Sequence, residues 1–218
     1  MRGSKTGRQP MDERALAVAR ACKGFLDEEE GLRLHDLARA HAALGPILEI
    51  GSYCGKSSVY LGAGARAAGG TLVCVDHHRG NEEQQPGEEY HDADLLDAAV
   101  GALETLPALR RTLRAAELEE TAVLIVARSR VAARFWTVPL GLVFIDGGHS
   151  HEAAHGDYES WAPLVAPGGI LAIHDLFPDP TQGGQAPIEV YRRALASGAF
   201  DKLPTTKTLG VLRRRSID

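Results

Sequence analysis

Apolar and polar positions alternate along the chain in two periods. From Asp12 to about Leu44 the apolar residues fall at helical spacing: Leu16, Val18, Ala19 and Cys22, then Phe25 and Leu26. Gly31 is expected to break this stretch, leaving Leu32–Ala43 as a second helix. A different pattern starts at Pro46. Ile47–Ile50 is a short apolar run that ends in Gly51, which reads as a buried strand entering a tight turn. The helix Lys56–Ala67 follows, and the strand Thr71–Val75 places Asp76 at its end. Further along, strands are expected at Thr121–Val126, Leu142–Ile145 and Ile170–Ile173. Helices are expected at Asp92–Leu106, with Leu109–Ala116 continuing it or standing alone, and at Val131–Phe135, His151–Val165 and Ile188–Ala196. Lys202–Arg213 reads as two short strands around Thr206, with no helix between them and so antiparallel. Two polar stretches, His77–Gly87 and Pro178–Pro187, read as loops over a site.

Strands alternating with helices define an α/β class: a Rossmann-like three-layer sandwich with a mostly parallel seven-stranded sheet and an antiparallel C-terminal strand. The 218 residues suit one domain over 12–218, carrying its N-terminal helices at 12–44 behind a flexible leader at 1–11. A net charge of −5 lacks the basic footprint of a nucleic-acid binder. No apolar run approaches the roughly 20 residues of a membrane span. Three scattered cysteines, Cys22, Cys54 and Cys74, indicate neither a disulfide framework nor a zinc site, so a cytoplasmic, reduced setting is expected.

In open α/β sheets ligands bind beyond the C-terminal strand ends. Here those ends carry Glu49–Gly55, Asp76-His77-His78, Ala127-Arg128-Ser129, Asp146–His149 and His174-Asp175. Gly51 and Gly55 are expected to let backbone pass close to a ligand. The spacing is GxxxG, not the GxGxxG that holds a pyrophosphate, and the Glu49 carboxylate would repel a pyrophosphate but pair with an ammonium group. A zwitterionic amino-acid ligand suits the turn better than NAD.

Glu49-Ile-Gly-Ser-Tyr-Cys-Gly55 resembles motif I of the class I S-adenosylmethionine (SAM)-dependent methyltransferases. The segments Phe144-Ile-Asp-Gly-Gly-His-Ser150 and Gly168-Gly-Ile-Leu-Ala-Ile-His-Asp175 resemble later segments of a small bacterial subgroup. The resemblance implies that Glu49, Gly51, Ser52, Tyr53, Gly55 and Ser57 hold the methionine part of SAM. It implies that Asp76 and His77 meet the ribose, that Ser129 contacts the adenine and that Asp146 lies beside the methyl group. It further implies transfer to a small-molecule acceptor, with oxygen preferred over nitrogen or carbon. For Ser129 a helix N-cap is the competing reading, and Arg128 departs from the acidic residue common before it.

Two mechanisms stay open at this level. Some relatives that methylate catechols or sugars use Mg²⁺, and the matching positions are Asp146, His174 and Asp175; imidazole suits Zn²⁺ or Fe²⁺ better, and His149 could join these three as a 2-His-2-carboxylate set. Without metal, His174 is the first candidate for a general base and His149 the second, with Asp146 or Asp175 orienting the ring. His77, His78 and His91 with Glu82, Glu83, Glu88 and Glu89 read as a solvated lid more than as another metal cluster. The alternatives to a methyltransferase are an NAD(P)-dependent oxidoreductase and a non-catalytic SAM-binding module. A homo-oligomer is compatible with the sequence.

Overall fold

The structure, a computed structural model, describes residues 10–216 apart from 86, 89, 90 and 100. Two helices open it, α1 (Glu13–Ala21) and α2 (Glu28–His41). Each starts on an aspartate that accepts a backbone N–H: Asp12 from Ala15 and Asp27 from Glu29. The break therefore lies at 22–27, and not at Gly31. Gly31 sits inside α2 because the ring of Tyr60 occupies the place of a side chain there, 2.4 Å from where a Cβ would be. The expected leader spans 1–11. Residues 1–9 lie outside the described residues, but Met11 is buried in the core.

The chain then runs β1 (Ile47–Ile50), α3 (Lys56–Ala67) and β2 (Leu72–Asp76). Among the described residues the α-helix expected over Asp92–Leu106 is not formed. A 3₁₀ turn at Ala93–Leu95 leads into a two-stranded antiparallel hairpin, β3 (Leu96–Asp97) and β4 (Ala102–Leu103). Asp97 accepts the Ala99 amide in the turn, a local bond that competes with helix. Helix starts only at α4 (Leu106–Ala115), with Pro107 in its first turn. Next come β5 (Ala122–Val126), α5 (Ser129–Ala133), β6 (Leu140–Ile145), α6 (His151–Trp161), β7 (Val165–Ile173), α7 (Ala186–Ala196), β8 (Phe200–Lys202) and β9 (Gly210–Arg214).

Seven strands form one sheet in the order β5-β2-β1-β6-β7-β9-β8. The first five run parallel, and β9 is antiparallel to both its neighbours, as the sequence pattern implied. Both faces of the central strands are covered, so β1 and β6 are buried at every position. Ile47, Leu142 and Phe144 pack under α1–α4, and Leu48, Ile50, Val143 and Ile145 pack against Trp161, Val190 and Tyr191 on the α5–α7 side. Sequential strands build outward from β1 in one direction and from β6 in the other. The crevice where that order reverses, at the C-terminal ends of β1 and β6, is where ligands of such sheets bind.

Candidate active site

A cavity of about 890 Å³ opens at these strand ends, within the roughly 300–1,000 Å³ typical of small-ligand sites. Its walls include Gly51 and Tyr53 after β1, Asp76 at the end of β2 with His77 beyond it, Ser129 after β5, and Asp146 after β6. Asp76 ties two loops together. One carboxylate oxygen accepts the Tyr53 amide at 2.9 Å and the other accepts the His78 amide at 2.7 Å. Both amides belong to residues in the left-handed region, Tyr53 at φ 45° and His78 at φ 59°, conformations uncommon outside glycine that the surrounding structure must enforce. His78 itself is buried on Thr105 Oγ1 at 2.7 Å, and burial lowers its pKa.

Other motif residues lie beneath the cavity and do not line it. Glu49, fully buried, sits on the face of β1 that meets α3. It accepts a hydrogen bond from Ser58 Oγ, while its Oε1 has no partner. Burial pushes its pKa up to about 7, with the hydroxyls of Ser57, Ser58 and Ser52 pulling the other way. Ser52, Gly55 and Ser57 are likewise buried under the turn. The two glycines answer to the protein before any ligand. At Gly51 (φ 87°) a Cβ would lie 2.1 Å from the Asp146 carbonyl oxygen, and at Gly55 (φ 97°) it would meet Leu109 at 2.8 Å. Ser129 does not cap α5. Arg128 holds that position, and the Ser129 hydroxyl accepts the Trp161 indole N–H at 2.7 Å.

The strand ends of β6 and β7 carry a cluster of carboxylates and imidazoles. His174 is buried with both nitrogens engaged: Nδ1 lies 3.1 Å from Asp146 and 3.3 Å from Asp175, and Nε2 lies 3.0 Å from Glu30 on α2. Burial opposes its charge, but Asp146, Asp175 and Glu30 outweigh burial and hold its pKa far above the ordinary value. His149 is bracketed in the same way, by Glu83 at 3.0 Å and Asp175 at 3.1 Å. The hydrogen bond to Asp175, acting against burial, raises its pKa to about 9. Burial would raise the Asp175 pKa, and His149 and His174 drive it well down instead. An imidazolium with both N–H groups on carboxylates has no lone pair to accept a proton. This geometry departs from the expectation of His174, then His149, as general base. Asp146 alone of this group lines the large cavity.

The metal set changes as well. Asp146, His149 and Asp175 offer donor atoms all within 4.8 Å of one another. Of the two histidines expected there, His149 belongs to this group and His174 does not, its Nε2 being taken up by Glu30. The polar lid does not gather its histidines: His78 binds Thr105, Glu83 reaches His149, and Glu89 lies outside the described residues.

Glu30, Asn81 and Asp157 are site residues the sequence reading missed, and Glu83, read there as part of the lid, pairs with His149. Glu30 had a signal. It stands in the same stripe as Leu34, Leu37 and Ala38, an acid at a core position of an amphipathic helix.

A crevice at the sheet's switch point, walled by an acid after β2 and an acid after β6, defines a Rossmann-like protein that binds a small ligand at its strand ends. Residues 48–176 match the family described as "Methyltransferase domain", and the chain belongs to that family. Solved structures share the fold. The O-methyltransferase TomG from Streptomyces achromogenes, solved in complex with SAM, is 18% identical with a TM-score of 0.60, over 94% of this chain and 91% of that one. An O-methyltransferase from Bacillus cereus, in complex with S-adenosylhomocysteine (SAH), is 14% identical with a TM-score of 0.64, over 95% and 92%. The SAH-bound methyltransferase PaMTH1 of Podospora anserina is 15% identical with a TM-score of 0.64, over 93% and 86%. Among the described residues no helix is long and apolar enough to cross a membrane.

Proposed function

We propose that this chain transfers a methyl group from SAM to a hydroxyl oxygen of a small-molecule acceptor. The observation that carries the reading is the cavity itself, opening at the switch point with Asp76 bridging the loops after β1 and β2. The buried, unpartnered Glu49 Oε1 beneath the Gly51 turn fits a ligand that brings an ammonium group to this end of the cavity. SAM-bound and SAH-bound proteins of the same fold support the choice of cofactor. The family match speaks against the dinucleotide alternative.

When bound, SAM supplies an electrophilic methyl group on a sulfonium. The protein's part is to hold, align and dehydrate. Gly51 and Tyr53 place the methionine end, Asp76 and His77 meet the ribose, and the wall around Ser129 takes the adenine. Ser52, Gly55 and Ser57 act from below by fixing the turn, and Glu49 takes the ammonium group. Asp146 faces the acceptor and receives its hydroxyl proton, while His174 holds the Asp146 carboxylate in place at 3.1 Å. Alignment of the acceptor with the methyl group supplies much of the rate.

A second reading rests on the Asp146, His149 and Asp175 cluster. These three would hold a divalent cation that orients the acceptor oxygen, and imidazole in the set favours an ion softer than Mg²⁺. In either case residues 12–218 act as one unit working on small molecules in a reducing, cytoplasmic setting, which the unbridged Cys22, Cys54 and Cys74 suit.

Isothermal titration of EDTA-treated protein with SAH, then with NAD, tests the reading. Saturable SAH binding without NAD binding is expected. NAD binding without SAH binding would reject it. SAH release from SAM in the presence of phenolic and sugar hydroxyls, with and without added divalent ion, then separates the two mechanisms.

A further inference from the structure

Away from the cavity, α6 and α7 bring three donors together. His151 and His155 are one helical turn apart on α6, so both project from the same side. Their rings stack with centroids 4.0 Å apart and 23° between planes. Glu189, in the first turn of α7, faces them: its Oε2 lies 4.0 Å from His151 Nε2 and 3.7 Å from His155 Nε2. All three donor atoms fall within 4.8 Å of one another. One of them, His155 Nε2, is buried and has no hydrogen-bond partner.

We propose that His151, His155 and Glu189 form a site for a borderline divalent transition ion such as Zn²⁺, separate from the methyl-transfer cavity. Two imidazoles and one carboxylate are the donors such an ion prefers, and a fourth position would be filled by water. Mg²⁺, which selects oxygen ligands, is excluded by the same chemistry. The geometry is close to what binding needs. Tetrahedral Zn²⁺ with bonds of about 2.1 Å sets its ligand atoms about 3.4 Å apart, so Glu189 Oε2 must close on each imidazole by only tenths of an ångström. Glu189 is half-exposed and His151 largely exposed, which leaves both free to make that adjustment.

Arg193 sets the competing state. Its Nη1 donates to His155 Nδ1 at 3.1 Å, which fixes the ring's own proton on Nε2 and blocks that atom as a ligand. The same Nη1 also donates to Glu159 at 2.7 Å, and the guanidinium lies over the Tyr158 ring. Metal binding requires Arg193 to give up His155 while keeping Glu159 and Tyr158. An ion held here would staple α6, which follows the Gly147–Ser150 loop, to α7, whose Pro187 and Val190 line a small cavity beside His149 and His174.

The experiment is a titration of the intact chain with Zn²⁺ against a chromophoric chelator, in the parent and four variants. The parent is expected to bind a Zn²⁺ that His151→Ala and His155→Gln each weaken at least tenfold. Losing an outer-sphere partner alone typically costs about 10- to 100-fold. Asp175→Asn, which disables the strand-end cluster, is expected to leave this ion in place, and Arg193→Gln is expected to tighten it. Zn²⁺ binding unchanged by His151→Ala and His155→Gln would overturn the proposal, as would a parent that binds no Zn²⁺. SAH binding is expected to be the same in both histidine variants, so the outcome stands apart from the methyltransferase reading.

Discussion

Replacing Glu30 with glutamine perturbs the strand-end cluster at the contact farthest from it in sequence. Glu30 is 2% exposed. Its Oε2 faces His174 Nε2 at 3.0 Å, and its Oε1 accepts both the amide and the hydroxyl of Thr208 at 2.8 Å. Burial alone would raise its pKa, yet His174 and Thr208 bring it below the ordinary value, so the pair is ionic in the folded chain. The glutamine retains an acceptor for Thr208 but leaves the buried imidazolium short of one counter-charge. Removing one partner of a buried ion pair costs about 3–5 kcal/mol. Asp146 and Asp175 still neutralise His174, which favours the lower end, about 3 kcal/mol. For a chain of this size each kcal/mol moves the melting temperature by about 2–4 °C, so a drop of roughly 6–12 °C is expected. Thermal unfolding followed by circular dichroism at neutral pH reads it. A double-mutant cycle with His174→Gln should show a coupling of at least about 1 kcal/mol, since the two residues touch. A Glu30→Gln variant melting with the parent, and additive with His174→Gln, would refute the claim that an ion pair fastens α2 to the site.

Three further outcomes are expected. Asp157 is buried, and burial, opposed by Ser129 and Arg130, raises its pKa from 3.8 to about 6. The folded state therefore favours the protonated acid, and stability present below pH 3.8 is lost as pH rises through about 6, by roughly 3 kcal/mol. Asp157→Asn should accordingly melt higher than the parent in mildly alkaline buffer and the same as the parent in acid; a parallel offset at every pH would contradict this. Gly31→Ala drives a methyl group into the Tyr60 ring and should cost about 1–3 kcal/mol by denaturant titration, whereas an unchanged midpoint would show that α2 and α3 can separate freely. Glu49→Gln removes a buried carboxylate whose Oε1 lacks a partner. It should stabilise the ligand-free chain in mildly alkaline buffer while weakening SAH about tenfold or more, because a desolvated ammonium–carboxylate contact is lost. Unweakened SAH would restrict Glu49 to bracing the turn.

The elements that read well from sequence are those whose periodicity is enforced by burial on both sides. β1, β2, β6 and the second half of β7 are apolar runs because helices cover both sheet faces; β2 ends on Asp76, Asp146 follows β6, His174-Asp175 follows β7, and the glycine of its turn follows β1. The strand order was supplied by the structure, whereas the mostly parallel strand direction followed from the alternation of strands and helices. The segment 92–106 did not, because Asp97 and the positive φ of Gly101 form a turn that overrides a helical-looking composition. Gly31 misled for the opposite reason: a glycine that looks like a break is needed where an aromatic ring lies against a helix backbone. At the site, strand-end positions were legible, and Gly51, Tyr53, Asp76, His77, Ser129 and Asp146 do meet at one cavity. Side-chain direction was not. Glu49 alternates to the far face of β1, and His174 turns toward Glu30, a partner 144 residues away that no local pattern could supply. The choice between His149 and His174 at the acidic cluster depended on that distant contact.

The account centres on where the cofactor sits, and a crystal structure of the chain grown with SAH tests that most directly. The account predicts density in the cavity between the Gly51–Tyr53 turn and Asp76, with the ribose hydroxyls on the Asp76 carboxylate, the amino group toward Glu49 and the sulfur facing Asp146. SAH bound elsewhere, or a cavity that stays empty at saturating SAH, would contradict it.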